Sequence, residues 1–238
     1  MLSIALGELI QIFRNRLVLV TMFVLPVASS AGYIYLHDTV PGLGLGGVAA
    51  VLLFLVVAMG LYTTTVTTLA SRRQNLFLKR LRSTAASDSD ILTGLLLPVT
   101  VIALVQVTVI LVVLGVVAGG PTDLLLLAAA VLASVAMMIG LGLATAGLTN
   151  SPEHAQVTTL PLVIGTLVVA GWVGFGDPED MTVLKRALPG GSASELVAAA
   201  WDGGVPLADA LPLLAPTLGW VVAAVALASR IFRWEPRR

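Results

Sequence analysis

Few residues in this chain could do covalent chemistry, and their spacing argues against it. The histidines are His37 and His154, and Ser192 sits in Gly190-Gly191-Ser192-Ala193-Ser194. A nucleophile needs a base within hydrogen-bond reach. Ser192 has none nearby in sequence, and its surroundings do not fit a nucleophile elbow. Cysteine is absent, so neither a disulfide framework nor a thiolate metal site can form. No G-x-x-x-x-G-K-[ST] loop is present to cradle a nucleotide. The chain is therefore not expected to be an enzyme by itself, nor to carry a metal or cofactor of its own.

What remains is recognition. The run 71–90 reads Ser71-Arg72-Arg73-Gln74-Asn75-Leu76-Phe77-Leu78-Lys79-Arg80-Leu81-Arg82-Ser83-Thr84-Ala85-Ala86-Ser87-Asp88-Ser89-Asp90. Leu76, Phe77, Lys79, Arg80 and Leu81 have the spacing of a short helix with mixed faces. Such a helix at an aqueous surface can plug into a groove on a soluble partner. As a basic interfacial loop it would instead set topology and hold anionic head groups. The run alone does not separate the two. Just before it stands Thr63-Thr64-Thr65-Val66-Thr67-Thr68, in which Thr64 shares a helical face with Thr67 and Thr68. Their hydroxyls could serve a ligand in an apolar wall, or bond back to their own helix and pack against a neighbour.

The elements that position these residues are apolar. Hydrophobic residues make up 58% of the 238 and charged residues 11%, far from a soluble domain. Charged residues and histidine are absent from six long stretches, each near the 20 residues that a helix needs to cross a bilayer. Spans are placed at 17–36, 43–70, 91–118, 124–149, 155–175 and 211–230. A carrier driven by an ion gradient usually holds ionisable residues inside the membrane. Their lack here places the energy source on another subunit.

Lys and Arg collect on the cytoplasmic side of membrane proteins. With the N-terminus inside, Arg14, Arg16, Arg72, Arg73, Lys79, Arg80, Arg82, Arg230, Arg233, Arg237 and Arg238 all face in. That is eleven of the thirteen basic residues, with Lys185 and Arg186 facing out. Both termini are therefore expected to be cytoplasmic. The preference for Arg over Lys fits a GC-rich bacterial genome, and hence a bacterial cytoplasmic (inner) membrane.

Residues 1–16 are amphipathic, with Leu2, Leu6, Leu9 and Phe13 on one face and Gly7, Gln11, Arg14 and Asn15 on the other, as in a helix lying in the interface. A cleaved signal peptide at Ala28-Ser29-Ser30-Ala31 is disfavoured by Glu8 and by the full-length first stretch. Pro26 should kink that stretch. Outer turns are expected at 37–42 and at Gly119-Gly120-Pro121. Ser151 is a plausible N-cap with Pro152 at the first helical position and Glu153 complementing the helix dipole. Gly140, Gly142 and Gly147 read as close-approach positions. Of Trp172, Trp201, Trp220 and Trp234, three are expected to be interfacial anchors. The outer segment 177–209 suggests two short helices, dipping into the outer leaflet or lying on it.

Order and spacing together resemble the type-2 membrane permeases of ATP-binding-cassette exporters. The family pattern has an amphipathic N-terminal segment, six spans and a basic "R…G-T-L-x-R-L-R-x-T-P" motif after the second. Leu78-Lys79-Arg80-Leu81-Arg82-Ser83-Thr84-Ala85 stands at that place here. The acidic residue usual before the motif is missing, and Ala85 replaces the closing proline. Ser87-Asp88-Ser89-Asp90-Ile91-Leu92-Thr93-Gly94 is similar to the family's lead into span three. Ser151-Pro152-Glu153-His154-Ala155 is similar to its "S-x-E-x-A" turn, and Leu188-Pro189 with Glu195-Leu196-Val197 to its outer re-entrant helices.

The resemblance implies an all-α polytopic membrane protein. Its parts would be six transmembrane helices, an N-terminal interfacial helix, a cytoplasmic coupling helix after span two, and short outer re-entrant helices before span six. It implies that Leu76, Phe77, Lys79, Arg80, Leu81, Arg82, Ser83, Thr84 and Glu153 meet separate ATPase subunits, which bind ATP and Mg. It implies a second permease copy, identical or related, and a central cavity along spans two and five. Thr64, Thr68, Gln156 and Thr159 are then candidates for the cargo path. Gln106, Met137 and Met138 are further candidates, each read first as packing. The scarcity of aromatics leans toward an apolar or amphiphilic cargo such as a drug, antibiotic or lipid. The expected partners are the ATPase, the second copy and the bilayer, with no nucleic acid. The alternative is a passive scaffold, facilitator or secondary carrier with no ATPase partner.

Overall fold

A backbone crossing hydrocarbon must close its hydrogen bonds internally, which leaves helices as the structure open to long apolar stretches. The computed structural model describes residues 2–36, 44–84, 86–177, 180–232 and 234. Every regular element among them is helical. The turn expected at 37–42, together with Leu43, Ala85, Pro178, Arg233, Arg237 and Arg238, lies outside the described residues.

The elements run α1 (Leu2–Arg14), α2 (Arg16–Leu19), a π-helical turn (Val20–Val24) and α3 (Leu25–Leu36). Next come α4 (Leu45–Phe54), a π-helical stretch (Leu55–Tyr62) and α5 (Thr63–Gln74), which form one continuous rod. Then follow α6 (Phe77–Arg82), α7 (Asp88–Ala118), α8 (Leu124–Leu148) and α9 (Pro152–Phe175). The chain closes with α10 (Thr182–Ala187), α11 (Gly191–Asp202), α12 (Leu207–Ala210), a 3-10 turn (Leu211–Leu213) and α13 (Leu214–Ile231).

Five helices are long and apolar enough to cross a membrane: Leu45–Gln74, Asp88–Ala118, Leu124–Leu148, Pro152–Phe175 and Leu207–Ile231. The first stretch is helical without a break from Arg16 to Leu36, through α2, the π turn and α3, and contains the apolar helix Met22–Leu36. Pro26 is the physical reason for the irregularity. Its ring lacks an N–H and crowds the carbonyl one turn back. The strain is taken up by the widened π turn immediately before it, where the Leu25 N–H reaches back to Val20 O.

The Leu45–Gln74 rod is the hub. Of its most apolar stretch 89% is buried inside the chain, against 17% for Leu207–Ile231. At about 1.5 Å per residue its 30 residues span about 45 Å. It can be buried so deeply because glycines let its neighbours approach. A Cβ on Gly47 would lie 2.3 Å from Gly174 O, so α4 and α9 cross backbone to backbone. Gly142 takes the Thr65 side chain, Gly140 lies against Ala224, and Gly147 lies against Ile231. The three span-four glycines are thus the close-approach positions that their spacing suggested.

The packing also corrects the reading of α1. The face it lays on the protein is Ala5, Glu8 and Ile12, and its main neighbour is α7. Leu6, Ile10 and Phe13 are left exposed, an apolar strip free to enter lipid.

α11 is neither a surface ornament nor a loop. Ser192, Ala193, Ser194, Leu196, Val197, Ala200 and Trp201 are buried, and the helix packs against α4, α8 and α9. The segment 177–209 thus forms the short helices α10 and α11, and α11 is packed into the bundle. Trp201 is only 2% exposed, and its Nε1–H donates to Gly119 O at 3.1 Å. It braces the Gly119–Pro121 turn from inside the bundle. Trp220 donates to Ala187 O at 2.9 Å, Trp172 lies under the Lys185 ammonium at 5.2 Å, and Trp234 lies under Arg82 at 4.9 Å.

Candidate functional site

One end of the bundle collects the basic residues. Arg72 pairs with Glu8 of α1, its Nη2 donating to Oε2 at 2.8 Å. It also donates to Gln11 Oε1. Glu8 was not read as functional, yet an acid on the Ala5–Ile12 face of an otherwise apolar helix was the signal available. Arg73 is 2% exposed. Its Nη2 donates to Ala146 O at 2.9 Å and to Thr149 O, carbonyls at the C-terminus of α8. α1 and the C-terminal ends of α5 and α8 are therefore clamped by two adjacent arginines.

From this clamp the chain turns into α6. Asn75 N bonds Ser71 O and Leu76 N bonds Arg73 O, and Leu76 itself is left-handed at φ 57°. A leucine rarely adopts that conformation. It swings the next six residues across the end of α7 instead of continuing α5. Leu78 is fully buried, and Phe77 and Leu81 are partly buried against the chain's own core. Phe77 also lies under the Arg72 guanidinium at 5.4 Å. Lys79, Arg80, Ser83, Thr84 and Leu76 are exposed. The surface that α6 presents is thus Leu76 and its cations, with Phe77 and Leu81 mainly rooting it.

The far side of α6 is pinned as well. Arg82 donates from Nε to Asp88 Oδ1 at 2.9 Å and from Nη2 to Oδ2 at 3.0 Å. A bidentate pair of this kind fixes orientation as well as distance. Thr84 Oγ1 donates to Leu81 O at 2.6 Å and Ser83 Oγ to Arg80 O at 2.7 Å, closing the helix. Ser87 then caps α7, accepting from Asp90 N at 3.1 Å. That cap starts α7 three residues before the first apolar position at 91.

Glu153 lies at the same end. Ser151 Oγ accepts from His154 N at 3.2 Å, and Pro152 opens α9, as the Ser-Pro-Glu order predicted. Glu153 is exposed in the first turn. His154 is exposed beside it, and His37 lies outside the described residues. Ser192 is buried and donates to Leu213 O, so its hydroxyl is spent on holding α11 to the last helix.

The four candidate path residues separate into two kinds. Thr68 lines a cleft of about 630 Å³ among α1, the inner end of α5 and the start of α9, together with Arg14, Arg16 and Ser71. Gln156 is exposed on α9. Thr64 is 2% exposed, and its hydroxyl has no hydrogen-bond partner among the described residues. Thr159 is buried and donates to Ala155 O at 2.8 Å. Around them Thr67 Oγ1 donates to Thr63 O at 2.8 Å, and Thr63 Oγ1 donates to Ala58 O at 3.1 Å, a carbonyl that the Thr63 backbone N–H also reaches at the close of the π stretch. Tyr62 Oη, buried next to the cluster, bonds Thr145 Oγ1 at 3.0 Å. Gln156 and Thr64 thus differ in setting, one exposed on α9 and the other enclosed in the bundle.

Several long apolar helices joined at a clamped basic end define a multi-pass membrane protein. The family model for ABC-2 type transporters matches residues 2–174, and the chain belongs to that family. It is accordingly a transmembrane permease component of a transporter and is not catalytic by itself. Permeases of this family normally work with ABC ATPase subunits. The match ends at the close of α9, so α10–α13 lie beyond it. No individual curated protein matches the chain.

Proposed function

We propose that this chain is the permease of an ABC exporter that moves an apolar or amphiphilic cargo, a drug, antibiotic or lipid. Separate ATPase subunits holding ATP and Mg would drive it. The observation that carries the reading is α6, a short basic helix held out at the clamped end of a chain whose family works with ATPases. Leu76, Lys79, Arg80, Ser83 and Thr84 form the docking face, with Glu153 beside it. Phe77, Leu81 and Arg82 hold α6 in place. The membrane is the bacterial cytoplasmic membrane, crossed six times when Met22–Leu36 is counted, with α6 and both termini inside.

A second permease copy completes the path. The hub helix is already enclosed within one chain, whereas α9 leaves Val157, Leu160, Ile164 and Val168 exposed along one side. Two copies meeting on α9 would enclose Thr68 and Gln156. Thr64 and Thr159 are reached when the helices part during the cycle.

The test is a charge reversal with a backbone control. Lys79→Glu with Arg80→Glu should cut ATPase co-purification and transport at least tenfold while insertion and melting temperature stay unchanged. Leu76→Gly should relieve the left-handed strain and leave the fold at least as stable, yet lose the apolar contact and lower transport several-fold. Phe77→Ala with Leu81→Ala is a weaker probe, since both side chains also pack on the core. Full transport in the charge-reversed permease, with the ATPase still bound, would reduce α6 to a lipid-binding loop.

A further inference from the structure

We propose that the groove between α3 and α7 binds an uncharged, mainly apolar molecule that carries one hydrogen-bonding group, such as a carboxamide or hydroxyl, drawn from within the bilayer. The groove has a volume of about 500 Å³, within the size range of small-molecule sites. Its inner end is closed by Phe13 and Phe23, whose rings lie 5.9 Å apart. Its rim is open, since Val27, Val105 and Val109 are all exposed. It lies on the α3–α7 side of the chain and shares no lining residue with the Thr68 cleft.

Two polar side chains set this groove apart from an ordinary lipid-facing furrow. Ser30 is 2% exposed and Gln106 is 7% exposed, and both line it. Ser30 Oγ and both amide atoms of Gln106 have no hydrogen-bond partner among the described residues. A buried amide left unpaired in an apolar setting is expensive, and native structures rarely tolerate it without a reason. At 1.5 Å per residue, Gln106 stands about 24 Å along α7 from Asp90 and about 18 Å from the helix's other end. At that depth acyl chains offer neither donor nor acceptor, so bulk lipid cannot satisfy it.

The chemistry of the occupant follows from the walls. No lining residue is ionisable, so a charged group would be buried without a counter-ion, which is prohibitive. The glutamine amide both donates and accepts, as does the serine hydroxyl. These atoms are closed off while the groove is empty; once the Gln106 side chain turns into it, a carboxamide satisfies both atoms of the amide reciprocally, and a hydroxyl satisfies one of them with Ser30. The apolar remainder of the molecule lies along Val105 and Val109. Binding needs no ATP and no partner subunit, so it can be measured on this chain alone, whatever the fate of the exporter reading.

The full chain in phosphatidylcholine nanodiscs should be photolabelled with a diazirine-bearing hexadecanamide and, separately, with the same diazirine hydrocarbon lacking the amide. The amide probe should label peptides of α3 and α7 at least fivefold more than the hydrocarbon, and unlabelled hexadecanamide should compete. Gln106→Leu should bring amide labelling down to the hydrocarbon level while the melting temperature holds or rises, because an unpaired polar group has been removed. Val109→Trp, at an exposed position, should block both probes by filling the groove. Equal labelling by the two probes would make the groove an acyl-chain slot and overturn the proposal. So would undiminished amide labelling in Gln106→Leu, or a disulfide between two copies of Val105→Cys, which would place a second copy over the groove.

Discussion

At the residue scale the basic run was legible as a surface but not as a mechanism. Arg72, Arg73, Lys79, Arg80 and Arg82 all read alike in sequence, as positive charges near a membrane. Folding divides them. Lys79 and Arg80 stay exposed, Arg82 pairs with Asp88, Arg72 pairs with Glu8, and Arg73 disappears among the last carbonyls of α8. Which arginine goes where depends on partners far away in the chain, and no local pattern records them. Arg73 should be the most costly of the five to lose. Arg73→Gln takes the guanidinium bonds from the carbonyls of Ala146 and Thr149 in a buried site, a loss of about 2–3 kcal/mol for charge-assisted bonds left unmade. A lower melting temperature in detergent, only partly restored by Arg73→Lys, checks this. The fork geometry of a guanidinium reaches two carbonyls where an ammonium reaches one. The Thr run behaves similarly. Thr63 and Thr67 bond their own helix, while Thr64 is buried with its hydroxyl unpartnered, although the sequence offers the same residue type at each position.

At the element scale the apolar stretches gave helices with ends close to those expected, because length and composition are local properties. The shifts have local causes. α7 starts early at its Ser87 cap, and the first stretch widens before Pro26. What the stretches do not carry is which helix is central. The Leu45–Gln74 rod is as apolar as its neighbours, and it becomes the hub because its own Gly47, with Gly174 and Gly142 on the facing helices, lets them approach. Gly47 and Gly219 test this. Gly47→Ala drives a methyl against Gly174 backbone at 2.3 Å. The overpacking should cost about 3 kcal/mol or more and lower the yield of folded protein. Gly219→Ala meets nothing within 4 Å. It should stabilise the chain by about 0.5–1 kcal/mol through reduced backbone freedom. Melting of the two variants in the same detergent compares them directly.

At the scale of the whole molecule, charge asymmetry predicts orientation. The end carrying α6 holds Arg72, Arg73, Lys79, Arg80 and Arg82, while Lys185 and Arg186 lie in α10 at the other end. A cysteine at Val183, which is 84% exposed, should react with an impermeant thiol reagent in intact cells, and one at Ser83 should not. Ser192, although on the same outer segment, is buried and would stay silent for reasons unrelated to topology. Labelling of Ser83→Cys from outside would reverse the orientation. The drive is also a property of the whole assembly. Vesicles holding the permease and its ATPase, with no pH or voltage gradient, should move cargo on ATP. Transport that persists without ATP and collapses with a protonophore would point to a secondary carrier.

The sequence by itself determined that this protein lives in a membrane, that its helices carry no charge inside their apolar stretches, and that one basic segment stands apart from them. Those conclusions follow from hydropathy, length and charge, which act on each segment independently of the rest of the chain. Only the tertiary structure decided that Phe77 and Leu81 root α6 while Leu76 is thrust outward, that α1 gives the protein its Ala5–Glu8–Ile12 face and leaves Leu6 and Phe13 exposed, and that Ser30 and Gln106 share one groove. Each of those outcomes is a contact between residues distant in sequence, chosen by which apolar surfaces and which small residues fit together. That choice is made by packing, where apolar residues of similar hydropathy differ in shape.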